Sequence, residues 1–295
     1  MSSDLRAVPP EVAAPSGATL PSGAAAPPTW VSAGRGVLAL LRRDLAERRG
    51  LGLPFLLDLA FGLLNLLVFV FVSRVLTLAP HADFSRSVSY FDFVAVGIVF
   101  LLVLQAATVQ VVARLATEQR AGTLELLVAQ PVPGWAIGLG LAGYPFAFAL
   151  VRAGVYLAVL GAFFGLHVGH ADWVGMAVVL ALGALCALPF GLALMGLAVA
   201  VGYGDPAARL LVVALSFLSG TYFPISALPG ALHPVCAVLP TRLALDALRH
   251  ALTGDGWGAA ALVLVGVAAV LLPLSAWAFD RALWLARRRG VLTRD

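Results

Sequence analysis

Six long apolar runs constrain this chain more than any other feature of its sequence. They cover residues 54–78, 93–113, 135–166, 173–201, 207–223 and 257–279. A helix needs about 20 apolar residues to cross a bilayer, because each residue adds about 1.5 Å. Backbone groups that face lipid must find partners within their own segment, so the runs are predicted to be helices. The chain is therefore predicted to be an all-α polytopic membrane protein with six transmembrane helices.

The composition excludes a soluble domain and a nucleotide-hydrolysing site of the common kind. Hydrophobic residues make up 61% of the chain and charged residues 12%, and the mean hydropathy is +0.97. That balance leaves too little charge to cover a soluble protein. All 19 basic residues are arginines. A GxxxxGK[ST] loop needs its lysine on the nucleotide phosphates, so we expect any ATP hydrolysis to come from a partner.

The distribution of arginines predicts the orientation, because cytoplasmic loops carry an excess of positive charge. With the N-terminus inside, fourteen arginines lie on the cytoplasmic side and four lie outside. The four outer residues are Arg74, Arg86, Arg242 and Arg249. We therefore expect a multi-pass protein of the cell inner (cytoplasmic) membrane with both termini cytoplasmic.

Composition divides the chain into four parts. Residues 1–29 are rich in Ala, Pro, Ser and Gly and are predicted to be disordered. Residues 30–52 are predicted to form an interfacial connecting helix on the cytoplasmic side. Residues 53–282 form the predicted membrane domain, and residues 283–295 form a basic cytoplasmic tail.

The predicted interfacial helix is basic and amphipathic. Leu38, Leu41 and Leu45 fall on one face, and most of the arginines fall elsewhere, a pattern typical of a helix lying in the membrane interface. Asp44 and Arg48 are four residues apart and are spaced to pair. Alternatively, the arginines are only the positive charges that flank the first span on its cytoplasmic side. The two interpretations are compatible.

The segment 219–252 between spans five and six is apolar but is divided by four prolines. Apolar pieces too short to cross the membrane are typical of re-entrant or interfacial helices; a folded extracellular loop is the alternative. The second half, 241–252, is predicted to be an amphipathic helix with Asp246 and either Arg249 or His250 on its polar side.

A short charged segment, EQRAGTLELLVAQPV at 118–132, lies between spans two and three. Its apolar residues fall partly on one helical face, and Pro131 and Pro133 end the segment. The pattern predicts a short helix outside the lipid that is held by the two spans it joins. An ordinary solvated turn is the alternative.

This segment resembles the first long cytoplasmic loop of ABC-2 type permeases, which are the membrane subunits of ATP-binding-cassette exporters of drugs, lipids and polysaccharides. The matching residues are Glu118, Arg120, Gly122, Thr123, Leu124, Glu125, Leu126, Leu127, Pro131 and Val132. The segment 219–252 resembles the outer region that precedes the last span in the same family. The two segments occur in the family's order, and the resemblance covers roughly 35–289.

The resemblance implies a permease subunit that binds no cofactor itself. ATP and Mg²⁺ would bind two copies of a separate ABC ATPase subunit. A second permease copy would complete a homodimer or heterodimer. Membrane lipids would surround the complex, and no nucleic acid would bind. The 30–52 helix would touch the ATPase, and re-entrant outer helices would lie between spans five and six. The implied ATPase-coupling residues are Glu118, Arg120, Gly122, Thr123, Leu124 and Glu125.

Polar side chains within spans are costly and commonly line a path or join helices. The candidates for a translocation path are Asp58, Asn65, Gln105, Gln110 and Arg152. Arg152 lies near the middle of span three, with Asp58 and Asp92 as candidate partners. A functional role and a structural role for Arg152 remain equally open.

Two other function classes stay open at this stage. A membrane-embedded lipid-modifying enzyme would need a polar cluster, and His167, His170 and Asp172 come nearest to one. Their spacing matches no known zinc site, which favours a solvated loop, so we predict no catalytic or metal-binding residue. An ATP-independent carrier is the third class, but the two halves show no convincing repeat of the kind common in such carriers.

Overall fold

The computed structural model describes residues 29–47, 90–130, 132–163 and 171–289, and also helical residues at 56–57, 60–64, 67–68 and 71. All regular structure in these residues is helical, which confirms the all-α prediction. The main helices are α1 (Thr29–Glu47), α2 (Tyr90–Gln105), α3 (Val111–Arg120), α4 (Thr123–Ala129), α5 (Gly134–Phe163), α6 (Trp173–Val201), α7 (Gly204–Leu218), α8 (His233–Val238), α9 (Pro240–Thr253) and α10 (Gly258–Arg289). A five-residue π-helix, Ala106–Gln110, joins α2 to α3.

Four of the described helices are long and apolar enough to cross a membrane. They are the continuous helix Tyr90–Arg120, then α5, α6 and α10, and they match the predicted spans two, three, four and six. The predicted first span, 54–78, lies mostly outside the described residues. The bundle is thus that of a multi-pass membrane protein, and the count of six spans stays a prediction.

The predicted fifth span corresponds to α7, which differs from the prediction in length. The helix has 15 residues and ends at Leu218, so it is about 22 Å long, against about 30 Å for the hydrocarbon core. Gly220 adopts a left-handed backbone with φ of 73°, which ends the helix before the predicted limit at Phe223. By length alone α7 therefore does not qualify as a complete span.

The segment before α10 is sharply bent. The helical pieces Gly230–Val238 and Pro240–Thr253 meet at 81°, and Pro240 occupies the first turn of α9, where its missing N–H is tolerated. A bend of this size is expected of either a re-entrant pair or a broken span, so the predicted re-entrant arrangement stays a prediction.

The core is centred on α2, whose side chains are buried on nearly every side. It packs against α5, α6 and α9 through large residues that include Phe93, Phe100 and Tyr156. Burial around the whole circumference explains why α2 is apolar without helical periodicity. By contrast, α10 packs on α6 and leaves Leu262 and Val270 exposed, as expected of a helix that borders lipid.

A glycine permits a close approach of two helices within the bundle. A Cβ placed at Gly191 of α6 would collide with the carbonyl oxygen of Ala107 in the π-helix. Small residues let membrane helices approach in this way, so Gly191 fixes how closely α6 lies against the π-helix.

The helix α1 lies along α5, within the range 30–52 that was predicted to be helical. Leu40 and Leu41 lie over Gly140 and Gly143 of α5, where a Cβ at Gly140 would be 2.5 Å from Leu40 Cδ1. Leu38 is 55% exposed, so the packed face includes Leu41 of the predicted leucine stripe but not Leu38. The interfacial position of α1 stays a prediction.

Candidate coupling site

The loop that joins Arg120 to α4 is a tight left-handed turn. Gly122 has φ of 68°, a conformation that favours glycine because it carries no Cβ. The amide of Ala121 donates to Thr117 O and the amide of Gly122 to Gln119 O, which closes the end of α3. The turn folds α4 back onto α3 and provides the short helix that the sequence predicts after Glu118.

The helix α4 has one buried face and one exposed face. Leu124 and Val128 are buried in a core cluster with residues of α3, α5, α6 and α10. Glu125 is exposed on the opposite side, and Leu126 is 67% exposed. The i, i+4 spacing of Leu124 and Val128 holds α4 on the bundle, while Glu125 and Leu126 face outward.

A buried ion-pair network joins α1 to α3. Arg114 Nη2 lies 2.5 Å from Asp44 Oδ1 and 3.3 Å from Glu118 Oε1. Arg43 Nη2 lies 2.5 Å from Glu118 Oε1 and 3.4 Å from Asp44 Oδ1. Both carboxylates are almost fully buried, and buried charges of this kind are stable only when paired. Each arginine therefore bridges the two helices, and we call these four residues the α1–α3 network.

The network also reaches α4. The Thr123 hydroxyl donates to the Glu118 carboxylate and lies 3.3 Å from the Glu118 carbonyl oxygen. Glu118 is 5% exposed, so one buried carboxylate contacts α1, α3 and the first residue of α4. The three helices are thereby joined into one unit at this end of the bundle.

The last helix holds the same unit from the other side. Arg287 Nη2 donates to Val128 O over 3.2 Å, and Asp280 Oδ1 accepts from the Trp135 amide over 2.8 Å. Beside these contacts is a cavity of about 330 Å³. Its lining is Val132, Pro133, Gly134, Trp277, Asp280, Arg281, Leu283, Trp284 and Arg287. The helix α10 continues through residues 283–289, which the sequence assigned to a tail.

Comparison with known proteins identifies the family of this arrangement. The sequence profile of the ABC-2 type transporter membrane family matches residues 35–253, which includes most of α1, the α3–α4 turn and the bent segment α8–α9. The chain belongs to the ABC-2 type transporter family. The resemblance seen in the sequence is thereby confirmed, and the chain is a membrane transport subunit.

This ABC-2 subunit is also similar to Nodulation protein J of Rhizobium meliloti (strain 1021). The two sequences are 30% identical over 172 residues, which is 57% of this chain and 64% of the relative. The match thus covers less than two thirds of that protein's length.

The structure divides the six predicted coupling residues of the ABC-2 subunit into two groups. Arg120, Gly122 and Glu125 are exposed at the turn and on α4. The other three, Glu118, Thr123 and Leu124, point into the bundle, where they hold α4 in place. The two groups suit different roles, because a partner that docks on this surface meets the exposed residues first. Their assignment to ATPase coupling stays a prediction.

Sequence reasoning missed the partners of Glu118. Arg114 lies four residues before it on the same helix, which is a readable pairing signal. Arg43 and Asp44 lie on another helix about 70 residues away, and no local pattern connects them to Glu118. Arg48, the predicted partner of Asp44, lies outside the described residues.

The predicted path residues fall in different places. Gln105 and Gln110 are half-buried at the two ends of the π-helix. Arg152 is 4% exposed, and its guanidinium lies 5.9 Å from the Phe148 ring. Asp58 and Asn65 lie outside the described residues. Burial suits both a structural role and a closed path, so both interpretations of Arg152 stay open.

Of the three residues of the enzyme alternative, the structure describes only Asp172. Asp172 caps α6 by accepting from the Gly175 amide over 2.9 Å, and it accepts from Trp257 Nε1 over 2.7 Å. The Gly175 amide, and next the Trp257 indole, hold the pKa of the Asp172 carboxyl below its ordinary value. His167 and His170 lie outside the described residues. Within the described part of the chain, no group of three metal-ligating side chains comes together.

Proposed function

We propose that the chain is the permease subunit of an ABC exporter that moves an amphipathic or lipid-linked substrate across the cytoplasmic membrane, driven by a separate ATPase. The observation that carries the proposal is the α3–α4 turn. It presents Arg120, Glu125 and Leu126 outward, and buried ion pairs join it directly to α1.

The geometry supplies a route from the turn to the bundle. A partner that docks on Glu125 and Leu126 pushes on α4, which is fixed to α1 and α3 through Glu118. The residues 90–120 form one continuous helix, so a displacement at Arg120 is transmitted along the most buried helix of the bundle. Closure of the ATPase would thereby shift the spans between inward-open and outward-open states.

Two kinds of partner follow from the proposal. ATP and Mg²⁺ bind two copies of the separate ATPase, in keeping with the absence of lysine from this sequence. A second permease copy, identical or different, completes the path. The exposed apolar residues Leu210 and Phe217 on α7, and Leu262 and Val270 on α10, offer surfaces for that copy or for lipid.

An apolar interior supports a substrate with substantial apolar surface. The described spans carry few polar side chains, and the core clusters consist of aliphatic and aromatic residues. A hydrophobic drug or a lipid suits such a path better than a bare sugar chain does, and a polysaccharide would travel on a lipid carrier.

A charge reversal tests the docking surface. The subunit is purified gently from its native membrane, and the co-purifying ATP-binding chain and vanadate-sensitive ATP hydrolysis are measured for wild type, Glu125→Arg and Asp255→Arg. Asp255 is an exposed carboxylate between α9 and α10, on the side predicted to be outer, and serves as the matched control. We expect Glu125→Arg to release the ATPase and Asp255→Arg to retain it.

Two results would contradict the proposal. One is full retention of the ATPase and of its activity in Glu125→Arg. The other is a wild-type subunit that purifies alone and moves or modifies a substrate without nucleotide, as the carrier and enzyme alternatives require.

A further inference from the structure

A second cavity, of about 610 Å³, lies at the end of the bundle opposite the α3–α4 turn. It is lined by Phe93 near the start of α2, whereas Glu118 lies near the far end of the same continuous helix. Twenty-five residues separate the two, or about 38 Å at 1.5 Å per residue. The rest of the lining is Gly220, Pro224, Ile225, Ser226, His233, Ala237, Arg242, Asp246 and Arg249.

Arg249 is the most deeply placed charge in this lining. It is 6% exposed, so of the two residues that the sequence offered for the polar side of α9, Arg249 or His250, Arg249 does not lie there. Its guanidinium lies 3.5 Å from the centre of the Phe93 ring, and Nη2 donates to Gly220 O over 2.8 Å and Phe93 O over 3.3 Å. Its Nε is buried and has no hydrogen-bond acceptor among the residues that the structure describes. A buried charged donor without an acceptor is costly, so an anionic group that reaches this atom would be stabilised.

The charges of the lining do not balance. Arg242 Nε lies 3.5 Å from Asp246 Oδ2, and Arg249 Nη1 lies 3.6 Å from Asp246 Oδ1. Two guanidinium groups thus share one carboxylate, at distances longer than a good charge-assisted hydrogen bond. The Asp246 side chain is 42% exposed, so solvent weakens its hold on both arginines. The cavity keeps a surplus of positive charge.

His233 completes the polar side of the cavity. Its Nε2 lies 3.1 Å from Ile225 O and 3.2 Å from Leu228 O, so this nitrogen donates to the two carbonyl groups and fixes the ring. Phe93, Pro224, Ile225 and Ala237 give the remaining walls an apolar character. The lining therefore suits a ligand with an anionic group and an apolar part.

We propose that this cavity binds a phosphate group. The guanidinium group of arginine binds two oxygens of a phosphate at once. The cavity holds two such groups, a buried one on Arg249 and a more exposed one on Arg242. The phosphate belongs either to the head group of a lipid or to free phosphate. The role of the cavity as an exit-side site rests on the proposed export function, whereas the binding itself does not depend on it.

A binding experiment without nucleotide tests the cavity. The transporter is placed in phosphatidylcholine nanodiscs, and thermophoresis measures the affinity for dihexanoyl phosphatidic acid, dihexanoyl phosphatidylcholine and inorganic phosphate. The variants are Arg242→Gln and Asp246→Asn, which lie at the accessible side of the cavity and spare the buried Arg249. Arg209→Gln is the matched control, because Arg209 Nε pairs with Asp205 Oδ2 at 3.1 Å with the same i, i+4 spacing.

We expect dihexanoyl phosphatidic acid to bind more tightly than the zwitterionic probe. Arg242→Gln should weaken that binding about fivefold and Asp246→Asn should tighten it about fivefold, the order expected for one accessible charge pair. Arg209→Gln should leave it unchanged. A role of Asp246 limited to structure predicts no tightening, so Asp246→Asn separates ligand binding from folding.

The two sources of phosphate give different results. Inorganic phosphate that competes with the lipid at millimolar concentration identifies free phosphate as sufficient, whereas lipid binding without such competition identifies a lipid head group. Equal affinities for all three probes, or the same affinity in Arg242→Gln, Asp246→Asn and wild type, would overturn the proposal. Neither result bears on whether Glu125→Arg releases the ATPase, so the two proposals fail separately.

Discussion

Arg114 of α3 donates to Asp44 of α1 over 2.5 Å, and both side chains are largely removed from solvent. The contact joins a helix that precedes the membrane domain to the helix that carries the coupling turn. Because Arg114 also contacts Glu118, the same buried charges hold both α1 and the α3–α4 turn in place. The position of α1 on the bundle is therefore linked to the turn on which we propose that the ATPase docks.

Removing the Asp44 carboxylate tests this contact. We expect Asp44→Ala to lower stability by about 3 kcal/mol, at the lower end of the cost of leaving buried charge uncompensated, since Arg43 and Arg114 retain Glu118. Thermal unfolding of the purified subunit measures the loss. Asp205→Ala removes an exposed pair with Arg209 and should cost less than about 1 kcal/mol. Equal losses in the two variants would show that the network contributes no more than a surface pair.

Substitutions of Glu118 and Glu125 should have different effects on stability and on ATPase association. Glu118→Gln removes the charge that Arg43 and Arg114 contact, so we expect a loss of about 2 kcal/mol in stability. Glu125→Gln changes an exposed side chain, so stability should stay within about 0.5 kcal/mol while ATPase association falls. Thermal unfolding and ATPase co-purification are measured on the same samples. A stable Glu118→Gln variant that has lost the ATPase would show that Glu118 contacts the partner directly.

Gly191 should tolerate no side chain. A methyl group at this position would meet the Ala107 carbonyl oxygen, so we expect Gly191→Ala to cost about 1–3 kcal/mol through overpacking. Gly266 lies on the exposed face of α10 with no atom within 4 Å of an added Cβ. Gly266→Ala should be neutral or stabilising by up to about 1 kcal/mol. Similar unfolding temperatures for the two variants would argue against the close α6–π-helix contact.

The Asp172 cap should make stability depend on pH. Donation by the Gly175 amide, and next by the Trp257 indole, holds the pKa of Asp172 below its usual value of 3.8. The folded state therefore binds this proton less tightly than the unfolded state, and the stabilisation is present above the usual pKa and lost as the pH falls through the lower folded value. Asp172→Asn keeps the cap but does not titrate. The difference in unfolding temperature between wild type and Asp172→Asn should shrink as the pH is lowered from 6 to 3. A difference that stays constant over this range would contradict the lowered pKa of Asp172.

The sequence predicted most of the fold because each span carries its own signal. The helices α5 and α6 begin and end within a few residues of the predicted limits. Tyr90–Arg120 extends seven residues beyond the predicted end at 113, and α10 extends ten residues beyond 279, to Arg289. The end of α7 was harder to predict. The aromatic pair Tyr222 and Phe223 extended the predicted apolar run, whereas the left-handed backbone of Gly220 stops the helix before it reaches them.

The candidate site was predicted in position but not in its internal arrangement. The α3–α4 segment was recognisable from EQRAGTLELLVAQPV. Whether its charged residues face outward or inward depends on α1, which is distant in sequence, so Glu118 and Glu125 looked equivalent. Arg249 is a similar case, because a guanidinium on a short amphipathic helix reads as polar surface until Phe93 and Gly220 from other elements cover it.

The π-helix determines the direction in which the α3–α4 turn faces around the helix axis. Its wider hydrogen-bonded ring accommodates about one residue more than an α-helical turn does, and each residue of an α-helix advances the side chains by about 100°. Deleting one residue from 106–110 would rotate Arg114 and Glu118 by that angle, away from Arg43 and Asp44. The direction in which the turn faces its partner is therefore determined inside the bundle, where Gly191 meets Ala107, about 20 Å from the turn itself.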